Sequence, residues 1–259
     1  MIRLDLYLFQ SGLSKSRQKA KNLIENGEVK INGQVIKKPA YEIDENLSYN
    51  IEITDSCPYV SRGGLKLQAI LEAANLDLSE KVCIDIGAST GGFTDCLLQK
   101  GAKKVYALDS GSCQLDSTLL CNDKIISKEG YNARNICIDD IGENADIITI
   151  DVSFISQTLI LPNAVKLLNK NGAYISLIKP QFEAGKSRIG KGGIVKNKRD
   201  RAFAAIKVID CADCCGFYPQ VFIKSPIEGG GGNIEYLCVF TRNAPGLDKK
   251  EIENYILHN

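Results

Sequence analysis

From Lys81 onward, short apolar runs alternate with helical segments over ~160 residues, and few folds accept that rhythm. Val82–Ile86, Val105–Leu108, Ile147–Val152 and Ala173–Ile178 read as buried strands. Phe93–Lys100, Ser156–Leu168 and Arg201–Cys215 read as helices, and two more strands are expected around Phe217–Ile223 and Glu235–Phe240. Strand–helix–strand units close most readily as crossovers in a parallel sheet. The expectation is an α/β fold with a doubly wound, largely parallel, Rossmann-like sheet.

The first ~55 residues break this rhythm and read as a small separate α+β unit, within the size range of domains that fold alone. Leu4, Leu6, Leu8 and Leu13 precede Ser14, which is expected to cap a helix from Lys15 to Asn26 with Ala20, Leu23 and Ile24 as its buried stripe. Gly27 ends it, and Asn32-Gly33 between Val29–Ile31 and Val35-Ile36 signals a hairpin. Cys57-Pro58 marks the boundary. The expected organisation is therefore residues 1–58, residues 59–243 and a C-terminal tail over 244–259.

Composition removes several function classes. The 259 residues hold 32 Lys+Arg against 31 Asp+Glu, and His258 is the only histidine, so histidine-based acid–base catalysis and His-rich metal sites are not expected. The 10 cysteines are scattered without a secretory signal and read as reduced cytosolic thiols. Cys211, Cys214 and Cys215 have no second ligand cluster, so no metal site is expected. The longest uncharged stretch, Val152 to Val165, falls short of the roughly 20 apolar residues of a spanning helix. A soluble, cytoplasmic protein without a membrane role is expected, and no protein partner is evident.

Net charge hides a local pattern. Between Ser14 and Lys38 seven basic residues face two acidic ones, and between Lys179 and Arg201 eight face two. Two basic patches on a neutral chain fit phosphate-backbone binding, although a solvated surface with unevenly dealt charges would read the same way.

The loop Asp85-Ile86-Gly87-Ala88-Ser89-Thr90-Gly91-Gly92-Phe93-Thr94 joins the first strand of the sheet to its helix. Its glycines let backbone approach a ligand closely, yet the spacing is neither the dinucleotide fingerprint nor a phosphate-binding P-loop. Asp109 ends the next strand, where a ribose diol would find a hydrogen-bond acceptor. The combination suggests S-adenosylmethionine, with a nicotinamide cofactor or a purely structural turn as the alternatives. Four charged residues, Lys66, Asp151, Lys179 and Glu235, are expected at loop or strand-end positions; each alone also reads as a surface ion pair.

Together these strings resemble the TlyA family, known as ribosomal RNA 2′-O-methyltransferases and also called hemolysin A. The N-terminal part is similar to an S4-type RNA-binding domain through Ser16-Arg17, Ala20, Ile24, Gly27, Val29, Asn32-Gly33 and Lys38-Pro39. The remainder is similar to FtsJ-like methyltransferases through Val60–Gly63, Gly87–Thr94, Asn132–Arg134, Asp151–Ser156, Leu177–Glu183, Gly192–Val195 and Ser225–Leu237. The resemblance implies Lys66, Asp151, Lys179 and Glu235 as the catalytic tetrad. It also implies S-adenosylmethionine held by Asp85, Gly87, Ala88, Ser89, Gly91, Gly92, Phe93, Thr94, Asp109, Asn132 and Ala133. The acceptor it implies is a cytidine ribose of ribosomal RNA within a ribosomal subunit; the basic patches nominate Lys15, Arg17, Lys19, Lys186, Arg188 and Lys191 as RNA contacts, and Arg62, between the patches, is expected to join them. The chain departs from the family pattern at Leu119 and Cys121, where relatives usually carry basic residues.

A ribose 2′-hydroxyl is a poor nucleophile at neutral pH, so such an enzyme must align oxygen, methyl carbon and sulfur and favour negative charge developing on the oxygen. Lys179 is the group expected to contact that oxygen, as base or as charge stabiliser; the other three would orient it and the substrate. A pore-forming hemolysin would need an amphipathic or spanning segment, and none is visible. An inactive ribosome-assembly factor would not need Asp151, Lys179 and Glu235.

Overall fold

The computed structural model describes residues 1–14, 16–25, 27–54 and 57–259, and its chain divides into two compact units, Met1–Pro58 and Tyr59–Asn259. The expected helix limits at Lys15 and Asn26, and the proposed RNA contact Lys15, lie outside the described residues.

The first unit comprises β1 (Ile2–Arg3), α1 (Leu4–Gln10), α2 (Arg17–Glu25), β2 (Val29–Ile31), β3 (Gln34–Val35), β4 (Glu42–Ile43) and β5 (Ile51–Ile53). Leu4 and Leu8, four residues apart in α1, share a helix face and pack with Ala20, Leu23 and Ile24 of α2. Ser14 does not cap α2: its hydroxyl donates to the Ser16 carbonyl, and the Ser16 hydroxyl instead accepts from the Lys19 N–H at 3.1 Å. The hairpin is present as expected, with Asn32 and Gly33 at φ of 49° and 80°, the left-handed region that a two-residue turn of this kind requires.

The second unit opens with α3 (Gly63–Ala73), β6 (Val82–Ile86), α4 (Gly92–Gln99), β7 (Lys104–Leu108), α5 (Ser117–Leu120) and β8 (Ile125–Lys128). It continues with α6 (Ile138–Ile141), β9 (Ala145–Ile150), α7 (Leu161–Ala164), β10 (Leu168–Ile178), α8 (Pro180–Glu183), α9 (Lys198–Cys214), β11 (Tyr218–Lys224), β12 (Tyr236–Thr241) and α10 (Lys249–His258). The sheet order is β11-β12-β10-β9-β6-β7-β8; β10 to β8 run parallel, and β12 and β11 add an antiparallel edge. The doubly wound α/β expectation holds.

Local differences have local causes. The helix expected over 156–168 is broken into a 3-10 turn, α7 and a second 3-10 turn. Pro162 in the first turn of α7 lacks an N–H and its ring excludes a continuing helix before it. Lys66 lies in the second turn of α3, not in a loop. Residues 244–259, set apart above as a tail, carry α10, whose Ile252 and Ile256 are buried in the main core beside Val208, Ile209 and Ala212 of α9.

Register positions the site. Ile86 pairs with Ile150 across β6 and β9, so the loops beginning at Gly87 and Asp151 leave the sheet side by side. Ile178 pairs with Tyr236 across β10 and β12, which puts Lys179 and Glu235 at that same end of the sheet.

Candidate active site

The sheet therefore delivers Asp151, Lys179 and Glu235 to the carboxyl end of its parallel strands, where open α/β sheets hold ligands. Lys66 reaches them from α3. Its Nζ lies 2.6 Å from Glu235 Oε2, in a pair whose side chains are 11% and 2% exposed. Lys179 forms an ion pair with Asp151 Oδ1 and also approaches Ser153 Oγ at 3.1 Å. The four expected residues are thus arranged as two ion pairs. Gln181 Nε2 donates to the second oxygen of Glu235 at 3.1 Å, tying the helix that follows Lys179 to the other pair.

Beside this constellation is a cavity of about 380 Å³ lined by Gly87, Ser89, Asp109, Asn132, Ala133 and Asp151, among others. Gly87 adopts φ +84°, and a Cβ there would stand 2.3 Å from the Asp151 carbonyl oxygen, so the glycine loop and the end of β9 meet backbone to backbone only because residue 87 is glycine. A Cβ on Gly91 (φ +94°) would meet Leu119 Cδ1 at 2.3 Å. Leu119, one of the departures from the family pattern, is thus a buried side chain packed behind the glycine loop.

Asp109 braces the loop from the opposite wall. One carboxylate oxygen accepts from the Ser89 N–H at 2.8 Å and the other from the Gly111 N–H at 2.7 Å, while each retains a further lone pair. Glu129 fixes the adjoining turn by accepting from the backbone N–H groups of Cys113, Gln114 and Leu115, and these bonds hold its carboxyl below the usual range. A cavity with a close-approach glycine turn and a fixed carboxylate fits an adenosyl group.

Not every expected cofactor contact faces this cavity. Asp85 and Thr94 are fully buried and Phe93 is nearly so, behind the loop. Asp85 accepts from Thr94 Oγ1 at 2.7 Å and Thr149 Oγ1 at 2.8 Å, and burial pushes its carboxyl up to about 6. Asp85, Phe93 and Thr94 shape the loop from beneath, and Ala88, Gly91 and Gly92 form its turn.

The nominated RNA contacts divide similarly. Arg62, Lys186 and Lys191 are exposed. Arg188 is engaged within the chain: its Nε lies 3.2 Å from Asp200, its guanidinium 3.7 Å from the Phe203 ring centroid, and an NH group donates to the Ala184 carbonyl. Arg17 pairs with the nearly buried Asp5 at 3.3 Å.

Sequence reasoning missed Phe154. It sits at φ +63°, is 93% exposed, and its ring centroid is 5.2 Å from that of Phe182, which in turn lies 6.0 Å from Lys179 Nζ. An aromatic residue three positions after a proposed catalytic aspartate was the available signal. Ser153, Gln181 and Glu183 were also missed; they are ordinary polar residues in sequence and gain meaning only from their partners.

The FtsJ-like methyltransferase family model matches residues 59–242, and the S4 domain model matches residues 2–47. Hemolysin A of Brachyspira hyodysenteriae is 43% identical over 244 residues, covering 92% of this chain and 99% of that protein. The 16S/23S rRNA (cytidine-2′-O)-methyltransferase TlyA of Mycobacterium tuberculosis is 36% identical over 255 residues, covering 98% and 95% respectively. A solved structure from Streptococcus thermophilus that carries the hemolysin name superposes with a TM-score of 0.79 at 39% identity, covering 99% of this chain and 94% of that one.

Proposed function

The chain belongs to the TlyA family of FtsJ-like methyltransferases, and from that premise we propose that it transfers the methyl group of S-adenosylmethionine to the 2′-hydroxyl of a cytidine ribose in ribosomal RNA. The observation that carries this reading is the pairing of Lys179 with Asp151 at the rim of the cavity that Asp109 and the glycine turn enclose. When bound, S-adenosylmethionine supplies an already activated methyl group on a sulfonium.

The chain's own residues then have three tasks. Gly87, Ser89 and Asp109 hold the adenosyl end, with the Asp109 carboxylate facing the ribose. Lys179, fixed by Asp151 and Ser153, presents an ammonium to the acceptor oxygen and favours negative charge developing there, while the proton that the 2′-hydroxyl gives up as its oxygen is methylated leaves to solvent. Lys66 and Glu235, with Gln181, stand beside that pair and hold the acceptor ribose in line. The exposed ring of Phe154, backed by Phe182, offers a stacking face for an unstacked base, the form in which RNA is read most readily.

Residues 1–58 act as the RNA-binding S4 domain, residues 59–243 as the methyltransferase domain, and 244–259 as its C-terminal segment. The substrate is ribosomal RNA within a ribosomal subunit, which assigns the protein to the cytoplasm. No helix among the described residues is long and apolar enough to cross a membrane.

Incubation with labelled donor and ribosomal subunits from a strain lacking the protein tests the reading. Label is expected at a cytidine 2′-oxygen in RNA. Absence of label from both subunits overturns it.

A further inference from the structure

Glu183 is a carboxylate that the transfer chemistry leaves without a task, yet it is only 3% exposed and lies four residues after Lys179. Its Oε2 accepts from Ser156 Oγ at 2.5 Å, its Oε1 accepts from the Gln157 N–H at 2.8 Å, and Lys207 Nζ stands 3.6 Å from Oε2. All three neighbours donate to the carboxylate, against burial, which pushes the carboxyl above its ordinary value. The Lys207 ammonium also donates to the Glu183 carbonyl at 3.1 Å. Next to it, the side chain of Gln157 is 1% exposed, donates to the Leu177 carbonyl at 3.3 Å and accepts from Ser176 Oγ at 2.5 Å.

These bonds join two segments that the chemistry requires to be in register. One is the loop after β9, which begins at Asp151 and ends at Ser156. The other is the end of β10 with α8, which begins at Lys179 and ends at Glu183. The Asp151–Lys179 ion pair fastens the segments at the cavity; Glu183 with Ser156 and Gln157 fastens them at their far ends. Between the two fastenings lies Phe154 at φ +63°, a left-handed conformation that a bulky residue keeps only where surrounding structure enforces it. With the far fastening in place, the loop has little freedom to relax away from that geometry.

We propose that Glu183 is a positioning residue for methyl transfer, clamping the Asp151–Ser156 loop to the end of α8 and so fixing the alignment of Asp151, Phe154 and Lys179 against the acceptor ribose. The proposal rests on the transfer reaction put forward above. It assigns Glu183 no contact with substrate or cofactor, and the cofactor-side residues Ser89 and Asp109 are not among its partners.

The test uses full-length Glu183→Gln, Ser156→Ala and Ser156→Thr with labelled donor and ribosomal subunits, wild type in parallel. Misalignment by a fraction of an ångström lowers turnover without lowering ground-state binding, so Glu183→Gln is expected to lose about tenfold or more in kcat. Its S-adenosylmethionine affinity by calorimetry and its KM for subunits should stay within about twofold of wild type. Ser156→Ala should lose severalfold, and Ser156→Thr, which keeps the hydroxyl, should retain most of the turnover. Wild-type kcat in Glu183→Gln, or a kcat loss matched by an equal loss of cofactor affinity, would overturn the positioning role. If Glu183→Gln does not fold, equal turnover of the two Ser156 variants overturns it instead. A wild-type protein that labels no RNA removes the underlying reaction, an outcome distinct from an active wild type with equally active variants.

Discussion

Lys66 Nζ and Glu235 Oε2 stand 2.6 Å apart although 169 residues separate them in the chain. The pair joins helix α3 near the start of the second unit to the residue just before strand β12 near its end. Removing one member of such a nearly buried pair strands the other charge at a typical cost of about 3–5 kcal/mol. Lys66→Ala is therefore expected to destabilise the second unit by that amount in urea unfolding. Replacing both, as Lys66→Met with Glu235→Gln, should recover most of the stability while leaving turnover abolished. A Lys66→Ala cost below about 1 kcal/mol would show that the pair behaves as an exposed one.

The two walls of the site should separate in binding experiments. Asp109→Ala removes the carboxylate that fixes the Ser89 and Gly111 N–H groups, and S-adenosylmethionine affinity should fall tenfold or more, since charge-assisted hydrogen bonds are worth roughly 1.5–3 kcal/mol. Lys179→Ala should retain cofactor affinity and lose most turnover. Calorimetry of both variants decides this, and equal loss of affinity in the two would refute the division.

Asp85 predicts a pH effect on stability. Burial raises its carboxyl from 3.8 to about 6 in the folded protein. Between those values the folded state holds more protons than the unfolded, so stability falls as pH rises through this window. The loss is complete above about pH 6 and on the order of 2–3 kcal/mol. Asp85→Asn, which can still bond both threonine hydroxyls, should flatten that part of the profile in unfolding measurements from pH 4 to 7. A variant whose profile parallels wild type would remove Asp85 as the cause.

Phe154 carries a prediction about the acceptor. Stacking of a base on an aromatic ring is worth about 1–3 kcal/mol. Phe154→Ala should reduce kcat/KM for ribosomal subunits by about tenfold or more, with cofactor affinity unchanged. Phe154→Tyr should retain activity; equal activity of the Ala variant would rule out a stacking role.

Much of the architecture was legible because its signals are local. The alternation of apolar runs with helical segments, the Asn32-Gly33 turn and the glycine turn at 87–92 each depend on residues near one another in sequence. Pro162 shows how one residue overrides a helical pattern, and β8 shows the opposite failure. Its Ile125–Lys128 run is short and only half-buried at the sheet edge, so it carries little periodic signal. Lys66 is expected in a loop yet lies in α3, because two preceding glycines obscure the helical pattern of Leu67, Ile70 and Leu71.

The sequence by itself determined the fold class, the glycine turn and the strand ends at which Asp151 and Lys179 stand, since strand period, turn chemistry and residue type are written locally. Only the tertiary structure decided that Lys66 pairs with Glu235 and Lys179 with Asp151, that Asp85 lies beneath the loop rather than against a ligand, and that Arg188 is held by Asp200 and Phe203. It also decided that Glu183 joins two loops. The physical reason is that ion pairing, burial and hydrogen-bond geometry depend on distances between chain segments far apart in sequence. Those distances are set by strand order and register, which no local pattern encodes.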